Sequence, residues 1–270
     1  MRNIMGLCLS MGLLLGAQMA AATDDWDLAT DDDNSLGSDN ELGHGSQQVH
    51  DLEANAGPVA DQDWYRVICY PRSSYEVVID SMSGDVDMFS PPENFQRLAF
   101  DGTTVLQTSE EANLGSFAGG FNRALRWETG GSTTNQFLRV RSALCGATCG
   151  PEDRYRITFY ETTIAVPRFN NASGQTTVLI IQNVTGDWTR PVNGTAYFWN
   201  VNGTLNALHP FSLFPSKAAL VLNTATVAPG VSGTITIAHD GGYGNLAVKS
   251  VALEPATGFS FDSPGLYKPQ

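Results

Sequence analysis

Thr195-Ala-Tyr-Phe-Trp-Asn200, Val201-Asn202-Gly203 and Thr204-Leu-Asn-Ala-Leu208 read together as two strands folded back on each other. Asn202-Gly203 supplies the positive φ angles that a tight turn between right-twisted strands requires. Working outward, Thr176–Asn183 is apolar on both parities, as a central sandwich strand should be. Ala218–Asn223, Gly233–Ala238 and Leu246–Leu253 follow, with Asp240-Gly241 as a second turn signal. Six or seven short strands in about 100 residues is the density of an immunoglobulin-like sandwich.

The same texture extends toward the start of the chain. Trp64–Tyr70 and Ser74–Asp80 are short, aromatic and β-branched, and Tyr75, Val77 and Ile79 share one face against Glu76 and Asp80 on the other. Thr103–Thr108, Arg123–Thr129, Gln136–Ser142 and Tyr155–Glu161 are further strand candidates between Gly-, Asn-, Ser- and Pro-bearing turns. With 16% charged residues, 27 Gly and 13 Pro in 270 residues, the composition suits an all-β chain better than a helical one. The expected architecture is all-β: two tandem β-sandwiches, over residues 40–163 and 164–264, and a C-terminal tail at 265–270.

Residues 1–22 read as a signal peptide, with Arg2 before the apolar run Leu7–Gly16 and Ala20-Ala21-Ala22 as the cleavage pattern. A retained anchor is the alternative, opposed by Gly6, Ser10, Gly12, Gly16 and Gln18 within that run. No later stretch approaches 18 apolar residues, so the mature chain is expected to be exported, soluble and free of membrane. Residues 23–39 read as an acidic flexible tail, poor in apolar groups and carrying Asp31-Asp32-Asp33. The net charge of −13 argues against nucleic acid as a partner, and it is concentrated. Twelve acids and no Lys or Arg lie between Asp24 and Asp63, whereas sixteen acids and fourteen bases follow from Trp64 onward.

In an oxidising compartment Cys145 and Cys149 most simply close on themselves as a disulfide loop. Cys69, on the face of Tyr65 and Val67, reads as a small buried hydrophobe, with a bridge to one of the loop cysteines as its alternative. No catalytic signature stands out. There is no G-x-S-x-G elbow, no H-E-x-x-H, no phosphate loop and no dinucleotide fingerprint, and His239-Asp240 reads as a hairpin corner. For calcium, the carboxylates of Gly84-Asp85-Val86-Asp87 are the best local candidate, against the plainer reading of a solvated strand edge. No other cofactor is expected. Four Asn-x-Ser/Thr sequons occur at Asn171, Asn183, Asn193 and Asn202, and the last two read as turn signatures. Trp188, between strands, is the candidate ligand-binding aromatic, while Trp127 and Trp199 lie inside strands and are expected in the core.

From Glu41 to Tyr160 the chain resembles the bacterial pre-peptidase C-terminal (PPC-like) domain. The resemblance rests on Asp61-Gln-Asp-Trp-Tyr-Arg-Val67, Tyr75-Glu-Val-Val-Ile79, Gly84-Asp-Val-Asp87, Phe137-Leu-Arg-Val140 and Tyr155-Arg-Ile-Thr158. It implies a non-catalytic, jelly-roll-like sandwich, usually appended to secreted hydrolases and in some relatives able to bind collagen, carbohydrate or calcium. That module normally follows a protease, whereas here it is expected to follow a 17-residue tail. Pro167-Arg-Phe-Asn-Asn171 and Val251-Ala-Leu-Glu-Pro-Ala-Thr-Gly-Phe259 look like part of a bacterial adhesion-type, immunoglobulin-like module.

The expectation is therefore a secreted or periplasmic bacterial protein, not an enzyme, that binds an extracellular polymer or a protein partner. Its oligomeric state is open. The alternative is a non-catalytic accessory or targeting protein of a secreted hydrolase, and a hydrolase using His239 with distant partners stands third. A water-accessible cleft joining His209 or His239 to a Ser and an Asp would favour the enzyme, and faces carrying clustered aromatics would favour the binder.

Overall fold

The computed structural model describes residues 33, 35–38, 40–52, 61–81, 94–111, 123–141, 154–186 and 190–269. The first nine strands are β1 (Gln47–His50), β2 (Gln62–Cys69), β3 (Ser74–Ser81), β4 (Phe95–Leu98), β5 (Val105–Thr108), β6 (Glu110–Glu111), β7 (Arg123–Glu128), β8 (Thr134–Arg141) and β9 (Tyr155–Glu161). They form two antiparallel sheets, ordered β1-β9-β3-β7-β6 and β2-β8-β4-β5. The alternation read in the sequence sets the inner faces: Tyr75, Val77 and Ile79 of β3 meet Tyr65 and Val67 of β2 in one fully buried core. Burying each such side chain contributes about 1.5–3 kcal/mol.

Strands β10 (Ile164–Asn170), β11 (Thr176–Asn183), β12 (Val192–Asn200), β13 (Leu205–Leu213), β14 (Ala219–Asn223), β15 (Ser232–His239), β16 (Leu246–Glu254), β17 (Phe259–Pro264) and β18 (Leu266–Tyr267) build the second sandwich. Its sheets run β13-β12-β15-β10-β18 and β14-β11-β16-β17, around a separate core that includes Val166, Phe169, Leu179, Ile181, Phe198 and Ile235. The β12–β13 hairpin turns at Asn202-Gly203, with Gly203 at φ 81° and the Asn202 side chain accepting the Thr204 N–H at 3.1 Å. None of the four sheets closes into a barrel, so the chain is all-β, as the sequence texture predicted. No helix among the described residues is long and apolar enough to cross a membrane.

The described part of the acidic leader is seated, where the sequence predicted a flexible tail through residue 39. β2 is an edge strand whose N–H groups need acceptors. The Asp33 carbonyl accepts from Trp64 N at 2.8 Å and the Asn40 carbonyl from Arg66 N at 2.7 Å. Asp33 and Ser38 are buried as a result.

The two sandwiches meet across the outer face of β3, β7 and β9. Glu76 and Arg126 form a buried ion pair at 2.7 Å, and the other Glu76 oxygen accepts the backbone N–H of Tyr243 at 2.7 Å. Tyr243 lies against Tyr160 of the first sandwich and Tyr267 of the second, with ring centroids 5.0 and 4.9 Å away. The connector is fastened too, its Thr162 carbonyl lying 3.0 Å from His239 Nε2. Gly242 sits so close to Glu76 that a Cβ there would lie 2.7 Å from its carboxylate oxygen.

Candidate functional site

The tight turn between β4 and β5 carries the most exposed aromatic ring among the described residues of the first sandwich. Ala99 N bonds to Thr104 O at 2.9 Å, and Gly102, at φ 67°, closes the turn onto the Ala99 carbonyl. Asp101 fixes it from the side, accepting from Thr103 N and Thr104 N at 2.8 Å and from the Thr104 hydroxyl at 2.6 Å. These bonds, the Thr104 hydroxyl first, hold the Asp101 carboxyl down at about 2, so it stays an ionised brace. Phe100 on this turn is 64% exposed, yet its ring stacks on Phe137 at 6.0 Å and 22°. Phe137 in turn meets Trp64 edge-on at 6.3 Å, and the Arg139 guanidinium lies over that indole at 5.4 Å. The exposed ring therefore rests on a fixed stack.

Beside it runs a shallow groove of about 530 Å³ lined by Ala99, Phe100, Leu106, Thr134, Asn135 and Gln136. Its chemistry is one aromatic face, aliphatic flanks and uncharged hydroxyl and amide groups. Gln136 is committed inward, accepting from Arg97 Nη1 at 2.8 Å and donating to Thr134 at 3.3 Å. Thr134 and Asn135 are exposed along the rim.

A second apolar opening lies at the edge of the second sandwich. Strand alternation points Phe259 and Phe261 of β17 inward, but β18 pairs β10 only at Ile164 and Ala165, so the opposing sheet stops short. Both rings stay exposed, at 65% and 45%, in a groove of about 240 Å³ with Arg168, Gln175 and Leu253 among its walls.

His239 is fully buried, not at a cleft. Its Nδ1 accepts from Gly241 N at 3.2 Å, and with that tautomer Nε2 donates to the Thr162 carbonyl. Burial pushes the imidazole down to about 4, and the nearby Arg126 charge adds to the fall. Both nitrogens are committed to backbone, so His239 is closed to catalysis. His209 lies on β13 opposite Ala196.

A third cluster joins leader and core. Asp33, His50 and Asp63 are all buried, with ligand-type atoms within 4.8 Å of one another. His50 Nδ1 lies 3.3 Å from Asp33 Oδ2, and Tyr155 donates a short hydrogen bond to Asp63. Tyr65 and Tyr155 share a 2.5 Å contact and flank the imidazole. Calcium takes six to eight oxygen ligands, and two carboxylates with one imidazole do not by themselves make that shell. The Asp33–His50 contact links the leader to β1, and the tyrosine hydrogen bonds that end on Asp63 link β2 to β9.

Of the residues marked in the sequence, Asp85, Asp87, Cys145, Cys149 and Trp188 lie outside the described residues. Cys69 is buried and unbridged, and burial raises its thiol to about 11. Trp127 is buried, as expected. Trp199 is not in the core: it lies on the outer face of β12, bonding Thr236 at 2.8 Å under Arg72 of the first sandwich. Asn171 and Asn183 are buried with their amides bonded to the carbonyls of Ala228 and Leu213. Asn193 is no turn residue but clasps Asp240 from β12. Sequence reading missed Phe100 because Ala-Phe-Asp-Gly breaks strand alternation, although Asp101-Gly102 is itself a turn signal.

No family model and no curated protein matches the chain. Among solved structures it is similar to a Bacteroides uniformis β-glucuronidase, at 11% identity and a TM-score of 0.20 over 77% of this chain. It is similar also to the extracellular region of zebrafish Gpr126/Adgrg6, at 10% identity and a TM-score of 0.21 over 83% of this chain. A β-glucuronidase of glycoside hydrolase family 2 shows 14% identity and a TM-score of 0.19. The chain spans only 26–30% of the length of these proteins.

Proposed function

We propose that the protein is an exported, non-catalytic β-sandwich protein that binds a neutral extracellular polymer, a polysaccharide, along the Phe100 groove. The observation that carries this reading is the exposed Phe100 ring braced on buried Phe137. A solvent-exposed ring normally wanders, whereas this one is preorganised by its stack and by the Asp101-fixed turn, so a ligand has little left to order. The apolar face of a sugar ring fits against an aromatic face, and Thr134 and Asn135 offer hydroxyl and amide partners at its edge. The uncharged lining selects against strongly charged chains. The resemblance of residues 41–160 to the PPC-like domain is part of the same reading, as is export from a bacterial cell.

A protein partner is the second reading, and the Phe259–Phe261 edge favours it. An unpaired edge strand with exposed aromatic side chains is the usual substrate for strand addition or apolar docking. An accessory or targeting role beside a secreted hydrolase is compatible with either surface.

The test is a glycan and matrix-protein array, run with and without calcium, on the wild-type protein and Phe100→Ala. Binding to neutral polysaccharide that Phe100→Ala removes supports the groove. Binding confined to matrix proteins and lost on Phe259→Ala supports the edge instead.

A further inference from the structure

Strand β11 is apolar on both parities, and the core of the second sandwich absorbs one of them. Leu179 and Ile181 are fully buried there, while Val178 and Ile180 alternate to the outer face of the sheet β14-β11-β16-β17 and stay half-exposed. The strand ladder widens that face: Val221 of β14 pairs with Ile180, and Val251 of β16 pairs with Val178. Leu253 follows two residues on, and Val221 and Leu253 are 66% and 39% exposed. The five side chains make one aliphatic patch across three strands. On the other sheet, the outward positions of central strand β15 include Thr234 and Thr236, the polar type a solvated face carries. That other sheet also meets the first sandwich, with Trp199 of β12 under Arg72, so the aliphatic patch points away from the joint.

Charge and register together select what can pack on this face. The chain carries a net −13, but residues 164–270 hold four acids and five bases, so two copies meeting here keep their acidic first halves apart. Lys249 of β16 and Asp262 of β17 border the patch, exposed and 3.1 Å from each other. Lys249 stands in the same row as Ile180, and Asp262 in the next row with Val178 and Val251. A two-fold axis running across the strands between those rows lays Val178 of one copy on Ile180 of the other. The same rotation brings each Lys249 beside the Asp262 of the other copy. Patch and flanking charges are therefore complementary to themselves.

We propose that this face is a two-fold interface through which two copies of the chain pack sheet on sheet. The interface is independent of the Phe100 groove. Four strands about 4.8 Å apart, each contributing about seven residues at about 3.4 Å, present about 450 Å² per copy. Two copies together cover about 900 Å² in projection, and surface relief brings this to the low end of the range for specific interfaces. The dimer is accordingly weak, with a dissociation constant on the order of 10 µM.

The test is sedimentation equilibrium of the intact protein from about 1 to about 200 µM. The wild type should pass from monomer to dimer mass across that range. Val178→Asp sets a carboxylate against the aliphatic face close to the axis and should raise the dissociation constant at least tenfold. Because the two-fold repeats the ion pair, Lys249→Glu turns two attractions into repulsions and should raise it about tenfold. Lys249 is half-exposed, so this variant keeps its fold where Val178→Asp fails to. Lys249→Glu combined with Asp262→Lys should restore wild-type association. Phe259→Ala, at the neighbouring apolar groove, should leave association unchanged. A monomer at every concentration, a dimer indifferent to Val178→Asp or Lys249→Glu, an unrescued double variant, or a dimer lost on Phe259→Ala would each overturn the interface.

Discussion

The carboxylate of Glu76 in the first sandwich accepts the backbone N–H of Tyr243 in the second at 2.7 Å, while holding Arg126 within its own sandwich at 2.7 Å. One side chain therefore serves both the ion pair and the junction, at 3% exposure. Removing one partner of a buried pair leaves the other charge uncompensated. Glu76→Ala should destabilise the protein by about 3–5 kcal/mol in chemical denaturation, and should do so more than Glu41→Ala, whose partner Arg66 is exposed.

Gly233 shows how tightly β15 and β12 are matched. A Cβ at Gly233 would lie 1.8 Å from the Trp199 carbonyl oxygen, which is backbone and has nowhere to go. Gly233→Ala should cost about 3 kcal/mol or more of second-sandwich stability, read as earlier urea unfolding of Trp199 fluorescence. Gly203→Ala meets no such neighbour and should cost less, only the strain of its positive φ.

The buried imidazole gives a pH signature of its own. His239 sits near 4 against an ordinary 6.5, so its contribution to stability is complete above about 6.5 and is lost as pH falls toward 4. Burial raises the Glu128 carboxyl to about 7, so its contribution runs the other way over about 4.5 to 7 and opposes that of His239 between 4.5 and 6.5. In Glu128→Gln this opposition is gone, and global stability relative to wild type should rise with pH across that window. An NMR titration should find the His239 ring neutral down to about pH 4.

Cys69 is enclosed, with its thiol raised to about 11. It should resist thiol reagents in the native state and react at the rate of unfolding, as seen by comparing labelling with and without denaturant.

Much of the fold was legible in the sequence because inner-face alternation is a local signal. Tyr75, Val77 and Ile79 announced β3, and Asn202-Gly203 announced the hairpin between β12 and β13. Strand β4 was not legible: its Arg97 faces the interior, where the guanidinium lies 4.8 Å from the Trp127 ring and burial pulls its pKa down to about 10. A buried arginine under an aromatic reads from sequence as a surface residue. Asp33 misled for a similar reason, since an acidic run signals disorder until an edge strand and His50 supply partners. The Phe100 platform depends on Phe137, thirty-seven positions away, and no local pattern reports that stacking.

Phe100 is 64% exposed, so its truncation should change stability by less than about 1 kcal/mol while removing the platform. That separation makes binding the most direct test. In titration calorimetry of neutral polysaccharides retained on the array, the wild-type protein should bind and Phe100→Ala should bind at least tenfold more weakly with an unchanged melting temperature. Equal affinity of the two proteins, or no binding by either, would contradict the proposed polymer-binding function of the groove.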